Sequence, residues 1–219
     1  EYAKSGVLRV TRHFSAATKI IPHGLNPRFL AAPKTQRPIS DYTNDATYRI
    51  LYVSTIEQYK HQWQVVEAVA ALRKEGIPVS LDLVGPAYPA ALVRLKRTLT
   101  RLDPEGTLVR RDADLGVFAS SCENMPNILL ETMASGLPVA CSDRGPMPEI
   151  LEEAGVYFDP ERASDIVRAL RALIDSPRLR SELAAASHRR AQQFSWQRCA
   201  DDTFYFLAEV ARQYKESTD

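Results

Sequence analysis

The sequence predicts an α/β fold: a parallel sheet with helices on both faces. Two observations carry the prediction. Short apolar runs rich in β-branched residues alternate along the chain with longer amphipathic runs. The short runs are also nearly continuously apolar, as strands buried on both faces are, instead of alternating apolar and polar.

The elements follow in order. KIIPHG (Lys19–Gly24) reads as a first short strand, and Lys34–Thr47, with its Pro, Ser, Thr and Asp content, as a loop or hinge. RILYVS (Arg49–Ser54) is a strand. A helix near Gln62–Glu75 comes next, with Trp63, Val66, Val69 and Ala70 on one face and Gly76 as its stop. VSLDLVG (Val79–Gly85) is the next strand and AALVRLKRTLTRL the next helix, its Arg and Lys residues forming a solvated face. LGVFASS (Leu115–Ser121), PVACSD and GVYFD supply further strands. The last third is helical. Ser176-Pro177 provides a cap and a first-turn proline. Ser195 caps another helix, whose Trp196, Cys199, Thr203, Leu207, Val210 and Tyr214 form one stripe. The whole reads as a Rossmann-like α/β sandwich.

One junction breaks the pattern. TLVR (Thr107–Arg110) and LGVFASS both read as strands, yet only Arg111–Asp114 lies between them. Parallel neighbours need a crossover of roughly a dozen residues. Either the pair is antiparallel, breaking the pattern, or a segment is absent there; absence is the favoured expectation, with the chain interrupted near Arg110–Arg111.

Composition excludes several classes. A formal net charge of +1 over 219 residues argues against a nucleic-acid surface and against a basic membrane anchor. No apolar run approaches a membrane span, and nothing at the start reads as a signal peptide. Cys122, Cys141 and Cys199 are odd in number and lack metal-binding spacing; free thiols packed as small apolar groups in a reducing, cytoplasmic setting are expected. The chain opens with EYAKSGVLRVTRHF, which reads as the interior of a helix, so a piece of a longer protein is expected.

The candidate site centres on CENMPNILLETMASG. Asn124-Met125-Pro126-Asn127 leads into the helix ILLETMAS after a parallel strand, where α/β sheets bind ligands. Free amides and the positive dipole end of such a helix suit a phosphate or diphosphate. Glu123 precedes the helix start and Glu131 lies about 7 Å along its axis, at ~1.5 Å per residue. A diphosphate between them would leave one carboxylate for hydroxyls on each side, the layout of a nucleotide-sugar: sugar, diphosphate, ribose.

Glu123-x7-Glu131, followed by MASGLPVACSDRGPMPEIL and GVYFDP, resembles the donor-site signature of family four of the retaining glycosyltransferases, of GT-B fold. The resemblance runs from IIPHGLNPRF (Ile20–Phe29) through YKHQ (Tyr59–Gln62) to the FSW turn (Phe194–Trp196). It implies that Glu131 holds the ribose hydroxyls and Glu123 the donor-sugar hydroxyls. It also implies that backbone N–H groups around Met125–Ile128 face the diphosphate and sugar, and that Lys60 neutralises leaving-group charge as a point cation. Thr55 and Gly85, ending the first two strands, join the donor-binding set. The resemblance further implies that configuration is retained, with no metal and no cofactor beyond the substrate, a GDP-, UDP-, dTDP- or ADP-sugar.

The organisation the resemblance implies is an entry segment (1–30), a nucleotide-sugar-binding domain (31–195) and a terminal helix (196–219) packing toward an N-terminal domain outside this chain. A glycan or lipid-linked acceptor would bind mostly to that domain; membrane contact would be peripheral at most. Three departures stand out. Ser54 and Thr55 replace the family's frequent Gly-Arg, removing one of two usual diphosphate cations. Asn124-Met125-Pro126 replaces the commoner Gly-Phe-Gly. The loop and helix the family carries between the strands at Thr107 and Leu115 have no counterpart, in line with the crossover argument.

The blander readings are specific. A lysine in a polar loop such as Lys60 is ordinarily solvated, and His23 and His61 read as loop histidines, His188 as a helix-surface one. Asp112-Ala113-Asp114 imitates a metal-binding DxD but precedes a strand, so a polar strand entry is the reading. Two rival functions remain at this level: a nucleotide-sugar epimerase of the same architecture, and a non-catalytic nucleotide-sugar-binding module.

Overall fold

The chain turns into helix or strand where capping and burial favour it. In the computed structural model, which describes residues 1–11, 17–102 and 113–216, five strands and eight α-helices are described. The chain begins with α1 (Tyr2–Val10) and reaches β1 (Tyr48–Val53) through an irregular segment with two short 3₁₀ turns. Then come α2 (Gln62–Lys74), β2 (Val79–Val84), α3 (Pro89–Leu102), β3 (Leu115–Phe118) and α4 (Asn127–Ala134). The remainder is β4 (Val139–Ser142), α5 (Met147–Leu151), β5 (Val156–Phe158), α6 (Ala163–Asp175), α7 (Pro177–Ala191) and α8 (Trp196–Glu216).

The strands form one parallel sheet in the order β2-β1-β3-β4-β5. From β1 the chain winds outward to β2, then returns past β1 to β3 and winds the other way. Right-handed crossovers put α2 on one face and α4 and α5 on the other. α6 packs on α2, and α7 on α4. Every residue of β3 and β4 is buried, as the continuous apolar runs require.

Burial on α2 is wider than its sequence stripe. Val65, Ala68 and Leu72 are buried beside Trp63, Val66 and Val69, because sheet, α3 and α6 enclose the helix on several sides. At the end of α4, Gly136 takes φ 68°, and a Cβ there would lie 2.7 Å from the Ala31 carbonyl. The Ala31 amide donates to Ala134 O at 3.0 Å, so the segment before β1 lies across this helix end.

Arg180 closes the other side. Fully buried, it donates to Leu173 O (2.6 Å), Ile174 O (2.7 Å), Gln36 Oε1 (3.0 Å) and Arg37 O. It thereby satisfies the last carbonyls of α6 with a cation, as a helix C-terminus favours. Ser176 Oγ accepts from Leu179 N at 3.1 Å, the cap expected of Ser176-Pro177.

Several expectations need correction. KIIPHG is not a strand: only Leu25, just past it, forms a single bridge, to Ser195, through Leu25 N to Phe194 O at 3.2 Å. The segment lies against the start of α8, away from the sheet edge, and Pro22 has no amide to give a ladder. Of the cysteines only Cys141 is buried; Cys122 is exposed in a loop and Cys199 half-buried on α8. His188 is not a surface group: its Nδ1 lies 3.0 Å from Ala134 O, joining α7 to the end of α4. The TLVR strand and the break at Arg110–Arg111 fall on 103–112, outside the described residues. No residue of α8 is buried, and Trp196, Leu207, Val210 and Tyr214 of its apolar stripe are exposed, with Phe204 beside it. Among the described residues no helix is long and apolar enough to cross a membrane.

Candidate functional site

The winding reverses between β1 and β3, and in open α/β sheets the crevice outside the carboxyl ends of the strands at such a point binds ligands. Two loops line it here: 54–61 after β1 and 119–126 after β3.

The first loop is fixed from several sides. Ser54 N donates to Val84 O (2.9 Å) and Ile56 N to Pro86 O (2.7 Å), carrying the β1–β2 pairing beyond the strand ends. Gly85 allows this approach: at φ 148° its Cβ would lie 2.1 Å from Ser54 O. The buried amide of Gln62 donates to Ser54 Oγ and to Thr55 O, both at 2.9 Å. A short 3₁₀ turn, Gln58–Lys60, follows, capped by the Glu57 carboxylate accepting from Gln58 N. Tyr52 OH, buried beneath it, donates to Lys60 O at 2.6 Å.

The two loops are laced together. Ser121 N donates to Tyr59 O at 2.8 Å, and His61 Nε2 meets Ser121 Oγ at 2.9 Å. Lys60 Nζ pairs with the Glu123 carboxylate, and the side chains are 11% and 16% exposed. The ammonium also lies 4.9 Å from the Tyr59 ring centroid and 5.6 Å from that of Phe118. The solvated-lysine reading therefore fails: at 9% exposure Lys60 is buried, and its partner is the other candidate charged group.

The start of α4 completes the crevice. Pro126 is buried, Asn124 and Asn127 exposed, Met125 and Ile128 half-buried. The Asn127 amide is taken by Met125 O at 2.9 Å and that of Leu130 by Pro126 O at 3.2 Å. Among the described residues nothing accepts from the Ile128 and Leu129 amides, so these are the open donors of this helix end. Glu131 sits one turn on, and burial pushes its carboxyl above the ordinary range while Arg28 opposes the shift.

Two participants were not read from the sequence. Arg28 acts electrostatically on Glu131 because the 3₁₀ turn Pro27–Phe29, capped by Asn26 Oδ1 accepting from Arg28 N, packs on α4. His23 Nδ1 lies 3.2 Å from Asn127 Oδ1, and its ring stacks on Trp196 at 5.6 Å. Both belong to IIPHGLNPRF, which the sequence marks as a unit without showing what it touches.

Asp114 lies at the other end of the sheet. It accepts from Tyr42 OH (3.2 Å) and Arg49 N (2.9 Å) at the entry to β3, in keeping with a strand-entry role. Among the described residues no group of three or more His, Cys, Asp or Glu side chains is placed to hold a metal ion. The crevice thus offers a buried cation, two open amides and two carboxylates, a set suited to an anion flanked by hydroxyls.

Residues 47–176 match the family model described as "Glycosyl transferases group 1". The chain is 29% identical over 189 residues to a D-inositol 3-phosphate glycosyltransferase of Rhodococcus erythropolis, covering 77% of this chain and 43% of that protein. It is 27% identical over 171 residues to a GDP-mannose-dependent alpha-(1-6)-phosphatidylinositol dimannoside mannosyltransferase of Mycobacterium tuberculosis, covering 74% and 44%. The chain thus spans less than half the length of these relatives. Among solved structures, sucrose-phosphate synthase from Thermosynechococcus elongatus superposes with a TM-score of 0.73 at 24% identity, over 98% of this chain and 57% of that one. Anabaena HepE in complex with UDP and glucose gives a TM-score of 0.73 at 20% identity, over 87% and 56%.

Proposed function

The chain belongs to the glycosyl transferases of group 1, and on that premise we propose that it is the donor-binding half of a two-domain enzyme. That enzyme moves a sugar from a nucleotide-diphospho-sugar to a glycan or lipid-linked acceptor, retaining anomeric configuration without a metal. One observation carries the reading: the buried Lys60 ammonium and Glu123 lie together at the switch point of the sheet, where α4 also starts with open amides.

In this reading the diphosphate lies against the Ile128 and Leu129 amides with Lys60 as its cation. The leaving phosphate gains charge as the glycosidic bond breaks, and a fixed ammonium stabilises that charge most in the transition state. Glu123 accepts from donor-sugar hydroxyls and Glu131 from the ribose. Lys60 already faces Glu123, so the bound donor shares a cation that the empty site neutralises. Thr55, with no charge, leaves Lys60 as the main side-chain cation of the diphosphate. Asn124, Met125, Pro126 and Asn127 shape the sugar end, and Gly85 keeps the β2 loop close to Ser54.

HepE binds UDP, and the mycobacterial relative is named for GDP-mannose. Both names support a nucleoside diphosphate as the ligand proposed for this chain, with its base open. The exposed apolar side of α8 supports a contact with the N-terminal domain, which would carry most acceptor contacts. A thermal-shift panel of UDP-, GDP-, dTDP- and ADP-sugars tests the reading: one base class should raise Tm. No shift with any member would oppose it.

A further inference from the structure

His61 is one of two non-glycine residues described with positive φ; at 54° it stands between Lys60 and the first residue of α2. Glycine holds such a backbone with no steric cost. The imidazole, 8% exposed, must therefore be judged by what it touches.

Its Nε2 shares a hydrogen bond with Ser121 Oγ at 2.9 Å, and the same hydroxyl has Tyr59 O within 3.3 Å. Nδ1 is buried and without a hydrogen-bond partner among the described residues. A doubly protonated ring would leave an Nδ1–H there with no acceptor, and burial pulls the imidazole below its ordinary pKa. The charged groups that act on it are Glu161 and Asp159 ahead of α6, Arg94 of α3 and Arg144 after β4, besides the Lys60–Glu123 pair of its own loops.

We infer that His61 is a positioning residue, a neutral strap from the loop after β1 to Ser121 in the loop after β3 that holds the Lys60 ammonium at the crevice. Lys60 lies between three anchors: its carbonyl receives Tyr52 OH, its predecessor's carbonyl receives Ser121 N, and its successor's ring is hydrogen-bonded to Ser121 Oγ. The first two hold backbone. His61 adds a side-chain link across the switch point beside the Lys60–Glu123 pair, and its buried, unpartnered Nδ1 disfavours a second cation next to Lys60. The strap itself rests on the apo geometry; its use for a diphosphate rests on the function proposed above.

The test is competitive acetylation of the whole chain with acetic anhydride, read by mass spectrometry. The rate at Lys60 is normalised to exposed Lys34 and Lys74. His61→Gly and Ser121→Ala should each speed acetylation of Lys60 several-fold, the double variant no more than Ser121→Ala alone, because both cut the His61–Ser121 link and Ser121→Ala also the Oγ contact to Tyr59 O. His61→Asn, which tolerates positive φ and keeps a donor, should recover part of the protection. Ser121→Ala leaves the backbone at His61 untouched, so it decides the matter should His61→Gly not fold. A role confined to packing would lower Tm without changing the Lys60 rate; that result overturns the strap, as does a doubly protonated His61 at pH 7 by ¹⁵N NMR. The ratio of nucleoside diphosphate to nucleoside affinity then tests the other reading separately. Faster acetylation with that ratio unchanged sustains the strap and removes Lys60 from the phosphate site.

Discussion

Replacing Lys60 by alanine removes a buried ammonium from the crevice and leaves the Glu123 carboxylate, 16% exposed, without its partner. Two effects of different size follow. A charge-assisted hydrogen bond contributes roughly 1.5–3 kcal/mol, which is about 10- to 150-fold in affinity. Because Glu123 already neutralises Lys60 in the empty site, the diphosphate gains only the difference, and a loss of roughly tenfold is expected. Breaking a fully buried pair costs about 3–5 kcal/mol; partial exposure brings this down to roughly 2 kcal/mol of folding stability. Calorimetry with a nucleoside diphosphate and the matching nucleoside, well below Tm, separates the two effects. Only the diphosphate should bind more weakly. Glu123→Gln removes the competitor for the ammonium, so plain nucleoside diphosphate should bind at least as tightly while the intact nucleotide-sugar binds less tightly. A Lys60→Ala affinity for diphosphate within twofold of the parent would refute the reasoning and assign the phosphate to the α4 amides alone.

Other predictions concern the carboxylate of α4 and the buried arginine. The Glu131 carboxyl is raised by burial in the folded chain, so the stability linked to it is present below its ordinary pKa and lost as pH rises through the folded value. Glu131→Gln should therefore raise Tm at neutral pH, an advantage that fades in acid. It should also weaken nucleoside diphosphate by losing ribose hydrogen bonds of roughly 1.5–3 kcal/mol each. Thermal melts across pH and calorimetry check both; lower stability at pH 7 would contradict the burial argument. Arg180→Met leaves the Ile174 and Arg37 carbonyls without their donor and Leu173 O with only the Ser176 amide at 3.4 Å. At about 1–3 kcal/mol for each unsatisfied buried group, urea unfolding should show a loss of roughly 3–5 kcal/mol, part of it recovered by water. A loss under about 1 kcal/mol would show that the carbonyls find other donors.

Much of the sheet is legible in the sequence because its signals are local. RILYVS and VSLDLVG carry their strand character within themselves, and Ser176-Pro177 its cap. E-x7-E lies on one turn-and-helix unit, so its relation to the start of α4 also shows in spacing. KIIPHG fails for the converse reason: an apolar run becomes a strand only where a neighbour offers a ladder, and this one meets the start of α8. The stripe on α2 came out too narrow because enclosure by α3 and α6 is a tertiary fact. Lys60 and Glu123 are 63 residues apart, and no periodicity joins them. Arg28 and His188 escaped similarly, each placed by packing against α4. Cys122 is exposed because β3 ends before it, at Phe118, and strand ends are weakly marked in sequence.

The central claim is that a diphosphate sits at the reversal of the sheet, between the start of α4 and Lys60. A crystal structure of this chain with a nucleoside diphosphate measures that directly. The account predicts phosphate oxygens within hydrogen-bond distance of the Ile128 and Leu129 amides and of Lys60 Nζ, with the ribose against Glu131. Phosphate bound instead at the opposite end of the strands, in the cavity of about 460 Å³ lined by Lys34, Arg37, Arg49 and Asp114, would contradict it.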